Sequence, residues 1–131
     1  MRNSEVIPIF VRRARSGQLL EIHNGGQHRV DFVSVQDVIQ ATFKVIELGA
    51  DGIFNIGSGQ QTSILELAHV ILRVCGADPD LLHIHPASGD YQAAFAGLDI
   101  TKAQTILDYR PLNLDDGLRQ YVTGLYKDES V

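Results

Sequence analysis

Phe54-Asn55-Ile56-Gly57-Ser58-Gly59-Gln60-Gln61-Thr62-Ser63-Ile64-Leu65-Glu66-Leu67-Ala68 is the stretch that sets the fold of this chain. From Gly52 to Gly57 the apolar residues do not alternate, which predicts a short strand buried on both faces, as in a parallel sheet. Gly57-Ser58-Gly59 then opens a loop. Ser63, followed three residues later by Glu66, predicts a capping box and a helix ending near Cys75 and Gly76. A strand, a glycine turn and a capped apolar helix in succession form the repeating unit of an α/β fold. Upstream, a helix is expected over Val35–Leu48, with Ser34 as cap, Asp37 in the box position and Gly49 as stop. Strands are expected at Leu19–His23 and Arg29–Ser34, separated by the turn Asn24-Gly25-Gly26. The first helix places Val6, Ile7, Phe10, Val11 and Ala14 on one stripe. Pro8 suits a first turn, so that helix should start near Glu5. Downstream, a strand is expected at Leu81–His85, a short helix after Asp99, and a last helix capped by Asn113. Asp115 and Asp116 fall in that helix's first turn, where its dipole favours them. Residues 127–131 read as a frayed tail, and 1–131 as a single domain.

Composition narrows the function classes. Of 131 residues, 44% are hydrophobic and 21% charged, which is the balance of a globular chain rather than a disordered one. With 11 Lys and Arg against 16 Asp and Glu, the net charge is −5, so no general nucleic-acid surface is expected. The single cysteine excludes an internal disulfide or a cysteine-built zinc cluster. No apolar run is long enough to span a membrane and no signal-peptide core opens the chain, so a cytoplasmic protein is expected. The helix from Ser63 to Cys75 is apolar almost all round, its polar stripe being only Glu66, His69 and Arg73. The Val35–Leu48 helix is nearly as apolar. A chain this short struggles to cover both, so part of this surface is expected to meet something outside it.

Several clusters carry residue types capable of chemistry. Gly57-Ser58-Gly59 could cradle a phosphate, but with two glycines and the helix starting four residues on, a tight turn is the better reading. His83 and His85 share one strand face and could be two metal ligands. No third ligand stands at local spacing, which favours a packing or surface role. Cys75 at a helix C-terminus has its thiol pKa raised rather than lowered, against a nucleophile. Arg12, Arg13 and Arg15 read as a solvated face. No nucleophile-elbow motif supports a hydrolase.

The order of motifs carries a resemblance. Val6-Ile7-Pro8-x-Phe10, Leu20-Glu21-Ile22-His23, Asp31-Phe32-Val33-x-Val35-x-Asp37-Val38, Phe54-Asn55-Ile56-Gly57-Ser58-Gly59, Thr62-Ser63-Ile64-x-Glu66-Leu67-Ala68, Gly89-Asp90, Asp99-Ile100-x-Lys102-Ala103 and Tyr109-x-Pro111 follow one another. This series resembles the C-terminal part of the NAD-dependent epimerase/dehydratase family, the extended short-chain dehydrogenases/reductases that act on nucleotide sugars. The resemblance implies an α/β fold: the C-terminal, substrate-binding part of that enzyme fold without its N-terminal Rossmann half. It implies no cofactor site in this chain, NAD or NADP being implied for a complete family member. The family's Gly-rich cofactor turn is missing near the start, and none of Tyr91, Tyr109, Tyr121 or Tyr126 has a lysine four residues later to make the Tyr-x-x-x-Lys pair. No catalytic residue is therefore expected here. By resemblance the substrate residues are Leu20, Ile22, His23, Arg29 and Asp31, with His23 where the family has an aromatic beside the uracil. Val30 and Ala87 stand at two family arginine positions, and Arg29 could replace the first only if a bulge re-aimed it. The implied partners are a nucleotide-diphosphate sugar and either a second copy of the chain or a Rossmann-type partner chain. The alternative is a standalone, non-catalytic association protein built on the same scaffold.

Overall fold

Helix α3 (Ile64–Val74) is the centre of the molecule, in a computed structural model that describes residues 3–92 and 98–126. Its start is the expected capping box: the Glu66 amide donates to Ser63 Oγ (3.1 Å) and the Ser63 amide to Glu66 Oε2 (3.2 Å). Leu67, Ala68, Ile71 and Leu72 are buried. Around them lie α1 (Asn3–Arg15) with Val6, Phe10, Val11 and Ala14, the strand β1 (Leu20–Ile22) with Leu20 and Ile22, and α5 (Leu114–Tyr126) with Leu118. Its remaining apolar residues, Ile64, Leu65, Val70 and Val74, are partly buried against the same cluster. Three neighbouring elements of the chain itself thus surround α3. Helix α1 begins at Asn3, two residues before the expected start, and keeps Pro8 in its second turn. The missing N–H forfeits one intrahelical bond, and the ring faces solvent.

Two small sheets flank α3. β1 pairs in parallel with β4 (Leu82–Ile84), with Leu20 opposite Leu82, Glu21 opposite His83 and Ile22 opposite Ile84. β2 (Arg29–Val30) pairs antiparallel with β3 (Thr62–Ser63). Both strands expected on either side of the Asn24-Gly25-Gly26 turn are shorter than their apolar patterns suggest. His23 already begins a 3-10 turn over His23–Gly26, and Asp31 to Ser34 have no ladder partner. That turn takes three left-handed residues in succession, Asn24, Gly25 and Gly26. At Gly26 (φ +69°) a Cβ would lie 2.7 Å from Leu65 Cβ and 2.8 Å from both Ile22 Cγ2 and the Leu65 amide nitrogen, so only glycine fits.

A second apolar cluster forms between α2 (Val35–Leu48) and α4 (Thr101–Leu107), around Ala41, Ile100, Ala103, Leu107 and Tyr109. α2 has the expected ends: Ser34 Oγ accepts from the Gln36 amide and Gly49 closes the helix at φ +61°. Asp37 is not part of a capping box. Its side chain is buried and Oδ2 accepts from the Leu112 amide at 3.0 Å, tying α2 to the segment before α5. The expected strand at Gly52–Gly57 is absent: the segment has no ladder partner among the described residues, and Ile53 is 84% exposed. Its apolar run is used to pack Phe54 and Ile56 on the α2–α4 cluster instead. Lys102 holds it there, donating to the Ile53 carbonyl at 2.9 Å and lying over the Phe54 ring. α2 carries a second apolar stripe that nothing covers among the described residues: Val35, Ile39, Phe43 and Ile46 are all exposed. Asn113 caps α5 as expected, accepting from the Asp116 amide (2.8 Å). The N-cap of α4 is Ile100 rather than the expected Asp99, which stands one residue earlier and accepts from the Thr101 amide (2.9 Å). The tail at 127–131 lies outside the described residues.

Candidate functional site

The β1–β4 pair has one face in the core and one face open. Strand alternation turns Leu20 and Ile22 inward against α1 and α3, and sends Glu21 and the next residue of that parity, His23, outward. On β4 the same alternation presents His83 and His85. The parallel register then puts Glu21 beside both imidazoles: its Oε2 lies 2.9 Å from His83 Nδ1 and 2.6 Å from His85 Nε2. His85 is boxed further. Its ring stacks on His23 with centroids 5.0 Å apart and planes 12° from parallel, and it tilts against His83 at 4.3 Å. Its backbone is fixed on both sides, the His85 amide donating to the Ile22 carbonyl and its own carbonyl accepting from the Gly25 amide, each at 2.7 Å. The bond with His85, reinforced by His83 and opposed by some desolvation, holds the Glu21 carboxyl below its ordinary pKa. The sequence supplied the two histidines on one face but not Glu21, because 62 residues of chain separate Glu21 from its register partner His83.

The residues implied by resemblance fall into three environments. Leu20 and Ile22 have fully buried side chains, so they offer the open face only the strand that aims Glu21 and His23. Arg29 and Val30 are paired in regular antiparallel register with Ser63 and Thr62, and no bulge re-aims the arginine. Asp31 is consumed by the loop after Phe54–Ile56. Its Oδ1 accepts from the Ser58 amide (2.8 Å) and the Ser58 hydroxyl (2.6 Å), and Oδ2 lies 3.4 Å from the Gly59 amide. Gly57 is glycine for the same reason, since a Cβ there would meet Asp31 Oδ2 at 2.6 Å. From the other side the Tyr109 hydroxyl donates to the Gly57 carbonyl at 2.6 Å. Burial, with the nearby negative charges of Asp37 and Asp31, pushes the Tyr109 phenol up to about 12.

This geometry decides the phosphate reading of Gly57-Ser58-Gly59. The amides that would face a phosphate already face an anion, the Asp31 carboxylate, so the turn does not fit a dinucleotide pyrophosphate. The Cys75 thiol pKa is raised, but by burial, with Arg15 pulling the other way. Asp115 does more than complement the helix dipole: it takes a two-pronged contact from Arg73 of α3 at 2.6 and 2.9 Å. Arg12 is exposed, and Arg13 donates to the Leu19 carbonyl. Among the described residues no helix is long and apolar enough to cross a membrane.

Comparison with known proteins places this arrangement. Residues 1–57 match the profile of the NAD dependent epimerase/dehydratase family. A dTDP-4-dehydro-6-deoxy-D-allose reductase of Streptomyces bikiniensis is 30% identical over 88% of this chain and 35% of its own length. A dTDP-glucose 4,6-dehydratase of Streptomyces niveus is 32% identical over 95% of this chain and 37% of its own. The crystal structure of UDP-glucose 4-epimerase with UDP-glucose from Thermotoga maritima superposes with a TM-score of 0.76 at 31% identity, over 95% of this chain and 40% of that one. The chain is similar to a portion of the NAD-dependent epimerase/dehydratase family. It spans little more than a third of the length of these curated relatives. Its fold is correspondingly part of the extended short-chain dehydrogenase/reductase architecture, covering about 40% of the epimerase. Among the described residues, the open β1–β4 face and the bare stripe of α2 are surfaces that packing inside the chain does not explain.

Proposed function

We propose that this chain is a nucleotide-sugar-binding portion of an epimerase/dehydratase-type protein, and that it does not carry out hydride transfer by itself. The carrying observation is the likeness to the T. maritima epimerase, which was crystallised with UDP-glucose and matches nearly the whole of this chain. Two local features support the reading. His23 sits exposed at the end of β1, already stacked on a second imidazole, and offers a flat face on which a base can lie. The Asp31–Ser58–Gly57–Tyr109 network is committed to holding a loop rather than to acid–base work. NAD or NADP belongs to the rest of such an enzyme, since the one Gly-x-Gly turn among the described residues is filled by Asp31. The test is a thermal-shift series with UDP-glucose and dTDP-glucose up to millimolar concentration, with NAD alone as comparison. A dose-dependent rise in Tm with a sugar nucleotide, reduced in His23→Ala, is expected. No shift with any sugar nucleotide refutes the binding reading.

A second reading, association, is favoured by α2. Phe43 is 67% and Ile46 71% exposed on the same stripe as Val35 and Ile39, with Ile53 exposed nearby in sequence. We propose that a second copy of the chain or a Rossmann-type partner chain covers this stripe. Light scattering across a concentration series checks it. A mass that stays at one chain, and does not change in Phe43→Glu, removes self-association.

A further inference from the structure

The open face of β1–β4 holds a more specific arrangement than base stacking requires. Three donor atoms from three side chains, Glu21 Oε2, His83 Nδ1 and His85 Nε2, all lie within 4.8 Å of one another. Two of the three separations, 2.9 and 2.6 Å, converge on the same carboxylate oxygen. A tetrahedral metal ion with ligands at about 2.0–2.1 Å keeps its donor atoms about 3.3–3.4 Å apart. The Glu21–histidine separations are therefore slightly shorter than a bound ion needs, and a carboxylate shift of about 1 Å opens the space. We propose that Glu21, His83 and His85 form a binding site for a divalent transition-metal ion of the zinc class.

Four features of the face argue for an ion rather than an incidental cluster. The ligands are set on regular backbone: His83 and His85 are alternate residues of one strand, and Glu21 is directly opposite His83 in the parallel ladder. The ring of His85 is held in plane by its stack on His23, which limits its rotation once it ligates. The side chains are half exposed, at 37% for Glu21, 52% for His83 and 41% for His85. An ion can thus enter from solvent and keep one coordination position for water or an anionic donor. Two imidazole nitrogens and one carboxylate oxygen select zinc, cobalt, nickel or copper over magnesium and calcium, which prefer all-oxygen shells. Bound metal would clamp β1 to β4 and join positions 21 and 83 of the chain.

The site is tested on the untagged protein, stripped with EDTA and desalted, with no nucleotide present, so the result is independent of the sugar-nucleotide reading. Titration with Zn²⁺ by calorimetry should give one ion per chain. Co²⁺ should give a visible d–d absorption band that Zn²⁺ displaces and excess Mg²⁺ does not. His83→Ala, His85→Ala and Glu21→Gln should each weaken binding at least about tenfold. His69→Ala, on the exposed polar stripe of α3, should bind as the parent does. Because Glu21→Gln preserves side-chain shape on an exposed strand face, its loss of affinity cannot be laid to misfolding if its circular dichroism is unchanged. Absence of stoichiometric Zn²⁺ binding overturns the proposal. So does full affinity retained in the His83→Ala/His85→Ala double variant, which would locate the ion elsewhere.

Discussion

Replacing Gly26 by alanine should be the most damaging glycine-to-alanine change among the described residues, and the structure gives the reason in two parts. The residue sits at φ +69°, where a Cβ costs about 1–2 kcal/mol for an L-residue. The added carbon also meets the Leu65 amide nitrogen and Ile22 Cγ2 at 2.8 Å and Leu65 Cβ at 2.7 Å. Those neighbours belong to the first turn of the central helix and to a fully buried strand residue, so relief means moving backbone. Overpacking of this kind adds about 1–3 kcal/mol, for a total of about 2–5 kcal/mol. Gly49 is the matched control. It has φ +61° at the end of α2 and nothing within 4 Å of a built Cβ, so Gly49→Ala should show the strain alone, about 1–2 kcal/mol. Urea unfolding of the two variants separates the parts. With a slope of about 1.5 kcal/mol/M, a 3 kcal/mol loss lowers the midpoint by about 2 M, and a 1.5 kcal/mol loss by about 1 M. Equal midpoints for the two variants would refute the packing of the 3-10 turn onto α3, and with it the placement of His23.

Other perturbations test the remaining contacts. Asp31→Ala removes the acceptor for the Ser58 amide and hydroxyl and should cost about 2–3 kcal/mol, with faster hydrogen exchange at the Ser58 and Gly59 amides. Unchanged exchange there would show that the loop does not depend on Asp31. Tyr109→Phe loses the bond to the Gly57 carbonyl and should cost about 1–2 kcal/mol at pH 7. The same residue gives a pH signature. Its folded-state pKa, about 12, is above the ordinary value of 10, so folding favours the protonated phenol. The resulting stability is complete below pH 10 and falls as pH rises towards 12, a fall that should be smaller in Tyr109→Phe when both are unfolded in urea across that range. Leu67→Ala, at a side chain with no exposure, should cost about 3–5 kcal/mol in the same assay. A loss under about 1 kcal/mol would mean that α3 is not the centre of the core.

What the sequence determined by itself is local. The box of Ser63 with Glu66, the cap at Asn113, and the left-handed stop at Gly49 each depend on atoms within a few residues of one another, and each formed where the residues indicated. The ordered series of motifs was also legible, because it needs no contacts to be recognised. Tertiary structure decided the rest. An apolar helix announces that it must be covered but not by what: α3 found cover in α1, α5 and β1, whereas the outer stripe of α2 did not. The apolar run at 52–57 has a strand's composition, but a strand exists only with a hydrogen-bonded neighbour, and packing on α2 and α4 claimed it instead. Asp37 and Asp31 read as a box residue and a substrate contact, yet their partners, Leu112 and Ser58, lie 75 and 27 residues away. The cluster of Glu21, His83 and His85 is likewise a product of tertiary structure. Period-two alternation put His83 and His85 on one face, but Glu21 joined them only through the parallel register, which is fixed by how Leu20 and Ile22 seat in the core rather than by any spacing along the chain.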